Sequence, residues 1–188
     1  SSTIMNARFF LPIGIFLALV AVSAVSMMSM LNGDQAREQL PSPLIGKDAP
    51  ELILVPFDTT LSTSERQVDL MQLIGNGPFA VNFFASWCAP CQKEAPFLEK
   101  LSNHIPIIGV AYKDKSDQLA IFLERFGDPF IKIGSDNDGK TSINWGVYGI
   151  PETFLISNEG KIIARHAGEI TNEVLNSLLI PSIKETIR

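Results

Sequence analysis

In the middle of the chain, the spacing of apolar and polar residues predicts two strands and two helices. Residues 79–84 are almost continuously apolar, as in a central strand that is covered on both faces, and residues 105–111 repeat that pattern. Residues 90–101 and 116–126 instead place their apolar side chains at helical spacing. Pro96 lies inside the first helical block, where a proline should kink the helix.

The flanking parts of the chain predict further strands and helices. These are strands at residues 51–56, 130–133, 153–156 and 161–164, and helices at residues 68–74 and 171–187. The last two strands flank a four-residue loop from Ser157 to Gly160, which is typical of a β-hairpin. Pro181 marks a kink or an early end in the final helix. The order of elements predicts an α/β fold with a central mixed sheet and helices on both faces.

A long N-terminal span, residues 9–31, carries no charged side chain. A helix needs about 20 apolar residues to cross a bilayer, so this span predicts a transmembrane signal anchor. Arg8 precedes the span, and because positive residues stay on the cytoplasmic side, the N-terminus should lie inside and the remainder outside. Removal of the span as a cleaved signal is an alternative, since small residues suited to cleavage occur at 21–24.

These features divide the chain into four parts. Residues 1–8 are predicted to be a short cytoplasmic N-terminus, 9–31 the anchor, 32–50 a proline-containing linker, and 51–188 a single domain. The net charge is −5 at pH 7, and lysines and arginines form no cluster. Nucleic-acid binding is therefore not expected, because it requires a basic surface.

The chain contains two cysteines, Cys88 and Cys91, shortly after the predicted strand at 79–84. A helix that starts at Cys88 would aim free backbone N–H groups at its sulfur and favour the reactive thiolate. Cys91, one turn further on and less exposed, could then resolve a mixed disulfide. A structural zinc site would need more ligands at suitable spacing, and a structural disulfide across so short a loop would add little stability. A redox-active dithiol without metal or cofactor is the favoured interpretation.

Four motifs of the domain resemble those of one protein family. They are Phe84-Ala85-Ser86-Trp87-Cys88-Ala89-Pro90-Cys91, Gly109-Val110-Ala111-Tyr112-Lys113-Asp114, Gly146-Val147-Tyr148-Gly149-Ile150-Pro151-Glu152-Thr153-Phe154-Leu155-Ile156 and Arg165-His166-Ala167-Gly168. The first motif is similar to the active site of the thioredoxin superfamily. The whole set, spread over residues 79–168, resembles the membrane-anchored cytochrome c maturation thioredoxins called CcmG or DsbE. The resemblance implies a thioredoxin-like fold for the domain.

The resemblance also implies roles for residues around the dithiol. The substrate groove and the residues that tune the dithiol are expected at Trp87, Pro90, Glu94, Tyr148, Ile150, Pro151 and Glu152. In thioredoxin-like proteins the proline matching Pro151 is cis, and the backbone beside it can pair with a bound peptide. Asn82 stands where thioredoxin itself has a buried aspartate, so Glu94 and Glu152 are the acids that could move a thiol proton. Glu94 could instead stabilise the start of its helix.

The activity implied by the resemblance is that of a periplasmic thiol-disulfide oxidoreductase that acts as a reductant and is held in the inner membrane by a single helix. Its expected substrate is the oxidised haem site of apocytochrome c, reached directly or through another cytochrome maturation factor. A membrane thiol-disulfide electron donor would restore the dithiol. Two alternatives stay open: a general envelope reductant of the TlpA or ResA type, and a module that binds apocytochrome for a haem-loading complex.

Overall fold

The computed structural model describes three parts of the chain, residues 12–28, 43–56 and 68–187. The chain divides into two compact units, Ser1–Pro41 and Ser42–Arg188. Both cysteines and the whole predicted domain therefore belong to the second unit, which also includes the end of the predicted linker.

The first unit contains one described helix, α1, at residues 12–28. This helix lies within the predicted anchor, whereas residues 9–11 and 29–31 of that anchor lie outside the described part of the chain. Among the helices that the structure describes, none combines the length and the apolar character that crossing a membrane requires.

The described residues of the second unit form a seven-stranded mixed sheet. Its described strands are β1 (Ile53–Pro56), β2 (Val68–Asp69), β3 (Phe79–Phe84), β4 (Ile107–Tyr112), β5 (Lys132–Asp136), β6 (Glu152–Ile156) and β7 (Ile162–Ala167). Their order across the sheet is β2-β1-β5-β4-β3-β6-β7. Strand β4 runs parallel to both β3 and β5, and every other pairing in the sheet is antiparallel. The predicted central mixed sheet is confirmed.

Helices cover both faces of this sheet. They are α2 (Ala89–Ser102), α3 (Ser116–Phe126), α4 (Lys140–Asn144), α5 (Asn172–Val174) and α6 (Ile180–Thr186), with a π-helical segment, Leu175–Leu179, between the last two. Helix α2 connects β3 to β4, and α3 connects β4 to β5. Because crossovers between parallel strands are right-handed, both helices lie on the same face, which we call the α2 face.

Strand β3 lies near the centre of the sheet and is buried at every position, as its apolar run predicts. Its side chains alternate between two packed layers. Ala80 and Phe84 pack against apolar residues of α2 and α3, on the α2 face. Val81 and Phe83 join a cluster with Trp145, and we call this side the Trp145 face. A strand covered in this way holds its C-terminal end, and the cysteines that follow, in a fixed position.

Two segments differ in type from the sequence prediction. The helix predicted at residues 68–74 is instead β2 followed by a short 3-10 turn, because the Asp69 carboxylate accepts the Met71 backbone N–H at 2.8 Å and caps that turn. Helix α4 was not predicted, since it is too short to show an apolar period. The buried Asp136 starts it by accepting two backbone N–H groups, from Thr141 and Ser142.

The end of the chain is helical over nearly the predicted residues 171–187, but it is not one regular helix. The π-helical segment Leu175–Leu179 comes directly before the turn that contains Pro181. Proline has no N–H to donate to the preceding turn, so a wider turn ahead of it relieves the crowding. The kink or end predicted at Pro181 is thus a change of helix type.

Candidate active site

The end of β3 places both cysteines at the start of a helix. Cys88 is the N-cap of α2, and Pro90 lies in the first turn, where its missing N–H costs no hydrogen bond. Cys88 and Cys91 form a disulfide, and Cys88 Sγ accepts the backbone N–H of Cys91 at 3.2 Å. The positive end of α2 also favours negative charge on this sulfur. The side chains of Cys88 and Cys91 are 5% and 1% exposed, which makes Cys88 the more accessible of the two.

The residues before Cys88 are held by the segment that follows β4. The Asp114 carboxylate accepts the backbone N–H of Ser86 at 2.5 Å and its hydroxyl at 2.7 Å. The indole N–H of Trp87 donates to the Lys113 carbonyl at 3.4 Å. Lys113 itself has a positive φ of 47°, which is uncommon for a residue other than glycine. Lys113 and Asp114 of the second motif therefore orient residues 85–88, which we call the cysteine loop.

A groove of about 360 Å³ lies between the cysteine loop and α3. Trp87, which is 59% exposed, forms one wall, and Ile121 and Phe126 of α3 line the other side. Lys113 and Arg125 add positive charge to its lining. A groove with this lining suits an extended peptide that carries apolar and acidic side chains.

The loop before β6 lies against the dithiol. The Ile150–Pro151 peptide bond is cis, as the resemblance implies, and the Ile150 carbonyl oxygen lies 3.7 Å from Cys88 Sγ. Pro151 is buried, Ile150 is half-buried, and Tyr148 is 83% exposed. This loop thus presents backbone groups and an exposed aromatic ring on the side of the site where the more accessible cysteine lies.

Glu152 begins β6 and turns its fully buried side chain to the Trp145 face of the sheet. Arg165 Nε donates to Glu152 Oε1, and Arg165 Nη2 donates to the Gly146 carbonyl at 2.9 Å. Burial raises the pKa of Glu152, and the contact with Arg165 opposes that rise. The ion pair therefore connects the two ends of the loop that carries Tyr148 and Pro151. Sequence reasoning gave Arg165 no role beyond its place in a motif.

Glu94 lies one turn after Cys91 on α2 and is fully buried on the opposite face from Glu152. Its Oε1 accepts from Asn82 Nδ2, and its Oε2 accepts the backbone N–H of Ile170, each at 3.0 Å. Burial raises the pKa of Glu94 to about 7 and outweighs these two hydrogen bonds, which favour the ionised form. Glu94 lies beyond the first turn of α2, and both of its hydrogen-bond partners lie outside that helix.

We expect the free energy of unfolding to fall as pH rises through about 7, because Glu94 holds its proton more tightly in the folded chain than in the unfolded one. The stabilisation is fully present below the ordinary glutamate pKa of 4.5 and is lost above about 7. A pKa change from 4.5 to about 7 corresponds to about 3 kcal/mol. Urea unfolding at intervals between about pH 4.5 and about pH 8 measures this slope.

Two matched substitutions on α2 test whether Glu94 causes the decrease of the free energy of unfolding with pH. Glu94→Gln should remove most of the decrease, because glutamine cannot ionise. Glu99→Gln, which changes an exposed glutamate on the same helix, should leave it unchanged. A decrease that persists undiminished in Glu94→Gln would mean that another buried acid, such as Glu152, is its source.

Fold and site together define a class of protein. An α/β domain with a Cys-X-X-Cys disulfide at the helix N-terminus that follows a central strand, facing a cis-proline loop, is a thiol-disulfide oxidoreductase of the thioredoxin fold. The chain matches the Redoxin family over residues 45–179. It is also similar in fold to the solved structure of a Chlorobium tepidum protein described as a proposed thiol:disulfide interchange protein DsbE. That match has a TM-score of 0.65 and 24% identity, and covers 77% of this chain and 98% of the other.

Two relatives show to which family of thiol-disulfide oxidoreductases the chain belongs. The thiol:disulfide interchange protein DsbE homolog of Paracoccus denitrificans is 36% identical over 177 residues, which cover 94% of this chain and 93% of that protein. The thiol:disulfide interchange protein HelX of Rhodobacter capsulatus is 34% identical over 180 residues, which cover 94% of this chain and 96% of that protein. The chain belongs to the DsbE, or CcmG, family of thiol:disulfide interchange proteins.

Proposed function

We propose that this chain reduces protein disulfides in the periplasm during cytochrome c maturation. The observation that carries the proposal is the place of Cys88, whose sulfur caps α2 and lies 3.7 Å from the Ile150 carbonyl, beside backbone that a substrate peptide can reach. Relatives named DsbE and HelX thiol:disulfide interchange proteins support it. The expected substrate is the oxidised Cys-X-X-Cys-His haem site of apocytochrome c, or a disulfide in another maturation factor.

The reaction begins with the reduced dithiol. The Cys88 thiolate attacks one sulfur of the partner's disulfide, and the partner's other sulfur leaves as a thiolate. The product is a mixed disulfide between Cys88 and the partner. The N-terminus of α2 and the backbone N–H of Cys91 favour the thiolate on Cys88, so attack starts from the more accessible sulfur.

Resolution of the mixed disulfide completes the transfer of two electrons. Cys91 gives its proton to the Glu94 carboxylate, and the Cys91 thiolate attacks Cys88 Sγ. The Cys88–Cys91 bond forms, the bond to the partner breaks, and the partner leaves with its second sulfur as a thiolate. A membrane thiol-disulfide electron donor then returns two electrons to the disulfide and restores the dithiol.

The substrate peptide is held by the loop of Pro151 and by the groove beside Trp87. Backbone groups at Ile150 can pair with an extended peptide as an added strand, while Tyr148 offers an exposed ring. The groove beside Trp87 would contact a part of the peptide further from the dithiol, and Lys113 and Arg125 give it positive charge. Selectivity then depends on the residues that flank the partner's disulfide rather than on the disulfide alone.

The proposal includes attachment to the inner membrane by residues 9–31, with residues 1–8 in the cytoplasm and the oxidoreductase unit in the periplasm. The lack of charge across residues 9–31 and the single Arg8 ahead of them support this orientation. Residues 32–50 would then link the anchor to the catalytic unit.

Trapping of the natural partner tests the proposed client. Cys91→Ser removes the resolving thiol, so the mixed disulfide should accumulate in cells, and the matched Cys88→Ser/Cys91→Ser chain should capture nothing. We expect apocytochrome c or a cytochrome maturation factor to be the main captured protein. Capture of many envelope proteins without a haem-site motif would contradict the cytochrome assignment and favour a general reductant of the TlpA or ResA type.

A further inference from the structure

The carboxamide of Asn82 has one end that is hydrogen-bonded and one that is not. Its Nδ2 donates to Glu94 Oε1 and to Thr153 Oγ1, each at 3.0 Å. Its Oδ1 is buried and meets no hydrogen-bond donor among the residues that the structure describes. A buried carbonyl oxygen without a donor is costly, so a stage of the reaction that uses this oxygen would account for it.

The hydrogen-bond partners of Glu94 suit its ionised form, whereas burial opposes that form. Oε1 faces an N–H of Asn82 and Oε2 faces the backbone N–H of Ile170, so both carboxyl oxygens face donors. A protonated carboxyl carries an O–H, which needs an acceptor. The N–H of Ile170 cannot become one, whereas a carboxamide has a donor at one end and an acceptor at the other.

We propose that Asn82 is a positioning residue whose carboxamide turns over each time Glu94 gains or loses a proton. When Glu94 is ionised, Nδ2 donates to Glu94 and Thr153, as in this structure. When Glu94 is protonated, a half-turn about the Cβ–Cγ bond brings Oδ1 to the same place, where it accepts the O–H of Glu94. The Thr153 hydroxyl follows, because it can donate as well as accept.

The two orientations are evenly matched apart from the charge on Glu94. In either one, a single end of the Asn82 carboxamide has partners and the other end has none, so the count of partnered ends does not choose between them. The proton on Glu94 therefore sets the orientation. The inference rests on the proton-acceptor role proposed for Glu94: the turned carboxamide would hold the proton received from Cys91 while the thiolate attacks Cys88.

Other titratable groups lie around this cluster. They are Cys91 and Lys93 on α2, His166 on β7, and Glu169 on the turn that follows β7. Lys93 pairs with Glu169 at 3.8 Å, and the His166 ring nitrogen lies 3.1 Å from the Glu169 carbonyl. In the described structure the side-chain hydrogen bonds of Asn82 lead only to Glu94 and Thr153. Titration of the other groups should therefore leave the carboxamide in place.

NMR of the oxidised full chain tests the turnover directly, because the cysteines do not titrate as a disulfide. We expect a strong nuclear Overhauser effect between the Asn82 Nδ2 protons and Thr153 above the pH at which the Glu94 carboxyl carbon titrates. Below that pH it should become several-fold weaker, as the NH₂ group moves away. In Glu94→Gln it should not depend on pH, and the exposed Asn103 side chain, whose Nδ2 donates to the Glu99 carbonyl, serves as an internal reference.

Three results would overturn the inference. The first is an unchanged Asn82 to Thr153 effect while the Glu94 carboxyl carbon titrates, which would show a fixed carboxamide. The second is a Glu94 carboxyl that does not titrate between about pH 5 and about pH 9. The third is a pH response of Asn82 that persists in Glu94→Gln. If Asn82 turns over but Glu94→Gln resolves mixed disulfides at the normal rate, the turnover stands and the proton-acceptor role of Glu94 fails.

Discussion

Replacement of Cys88 by serine is expected to slow disulfide exchange by at least about 10³-fold, because a serine hydroxyl neither ionises near neutral pH nor forms an S–S bond. Cys91→Ser should instead keep the first step and stop at the mixed disulfide, since the resolving thiol is lost. Single-turnover reduction of a fluorescent peptide that carries an internal disulfide measures both steps, with the mixed disulfide detected by mass spectrometry.

Both substitutions should leave the fold intact, which makes the comparison informative. Serine is among the preferred N-cap residues, so Cys88→Ser keeps a hydrogen-bond acceptor for the first turn of α2. Circular dichroism and urea unfolding in the reduced state check this point. Accumulation of a mixed disulfide in Cys88→Ser, with normal first-step kinetics, would mean that Cys91 is the attacking cysteine and that the assigned order is reversed.

Replacement of Glu94 by glutamine is expected to slow resolution of the mixed disulfide by about 10²-fold at pH above 7. Because burial raises the pKa of Glu94 to about 7, the carboxyl is protonated below that pH and can accept a proton only above it. The resolution rate of the unmodified chain should therefore increase as pH passes through about 7. In Glu94→Gln the increase should shift towards about 8.5, where an ordinary thiol ionises.

The effect of Glu94→Gln must be confined to resolution. The rate at which Cys88 forms the mixed disulfide should stay near normal, and Glu99→Gln, on the exposed side of the same helix, should behave as the unmodified chain in both steps. Equal slowing of both steps in Glu94→Gln would indicate a general disturbance of α2. An unchanged pH profile of resolution would exclude Glu94 as the acceptor of the Cys91 proton.

Much of the architecture around the dithiol follows from local sequence patterns. The apolar run at residues 79–84 predicts β3 with its observed ends, and the apolar period at residues 116–126 predicts α3 in the same way. Each pattern repeats over several residues, and burial on one or both faces is its direct cause. Since the cysteines follow β3 after three residues, the position of the dithiol at the end of a central strand could be deduced before the structure.

The surroundings of Glu94 could not be deduced in this way, because they come from distant parts of the chain. Ile170, 76 positions later, supplies one hydrogen bond from the turn after β7, and Thr153 reaches the other partner, Asn82, from β6. Without knowledge of these contacts, a charged residue near the start of a helix is expected to be exposed to solvent. Similarly, only the structure shows that Arg165 joins Glu152 to the start of the loop that carries Pro151.

The reduction potential of the Cys88–Cys91 disulfide tests the central claim most directly, because it separates a reductant of protein disulfides from an oxidant. The full chain can be equilibrated with dithiothreitol buffers of known ratio, and the reduced fraction followed by thiol alkylation. A reductant in cytochrome c maturation should have a potential towards the thioredoxin value of about −270 mV. A potential near −120 mV, about that of strong disulfide-forming oxidants, would contradict the proposed direction of electron transfer.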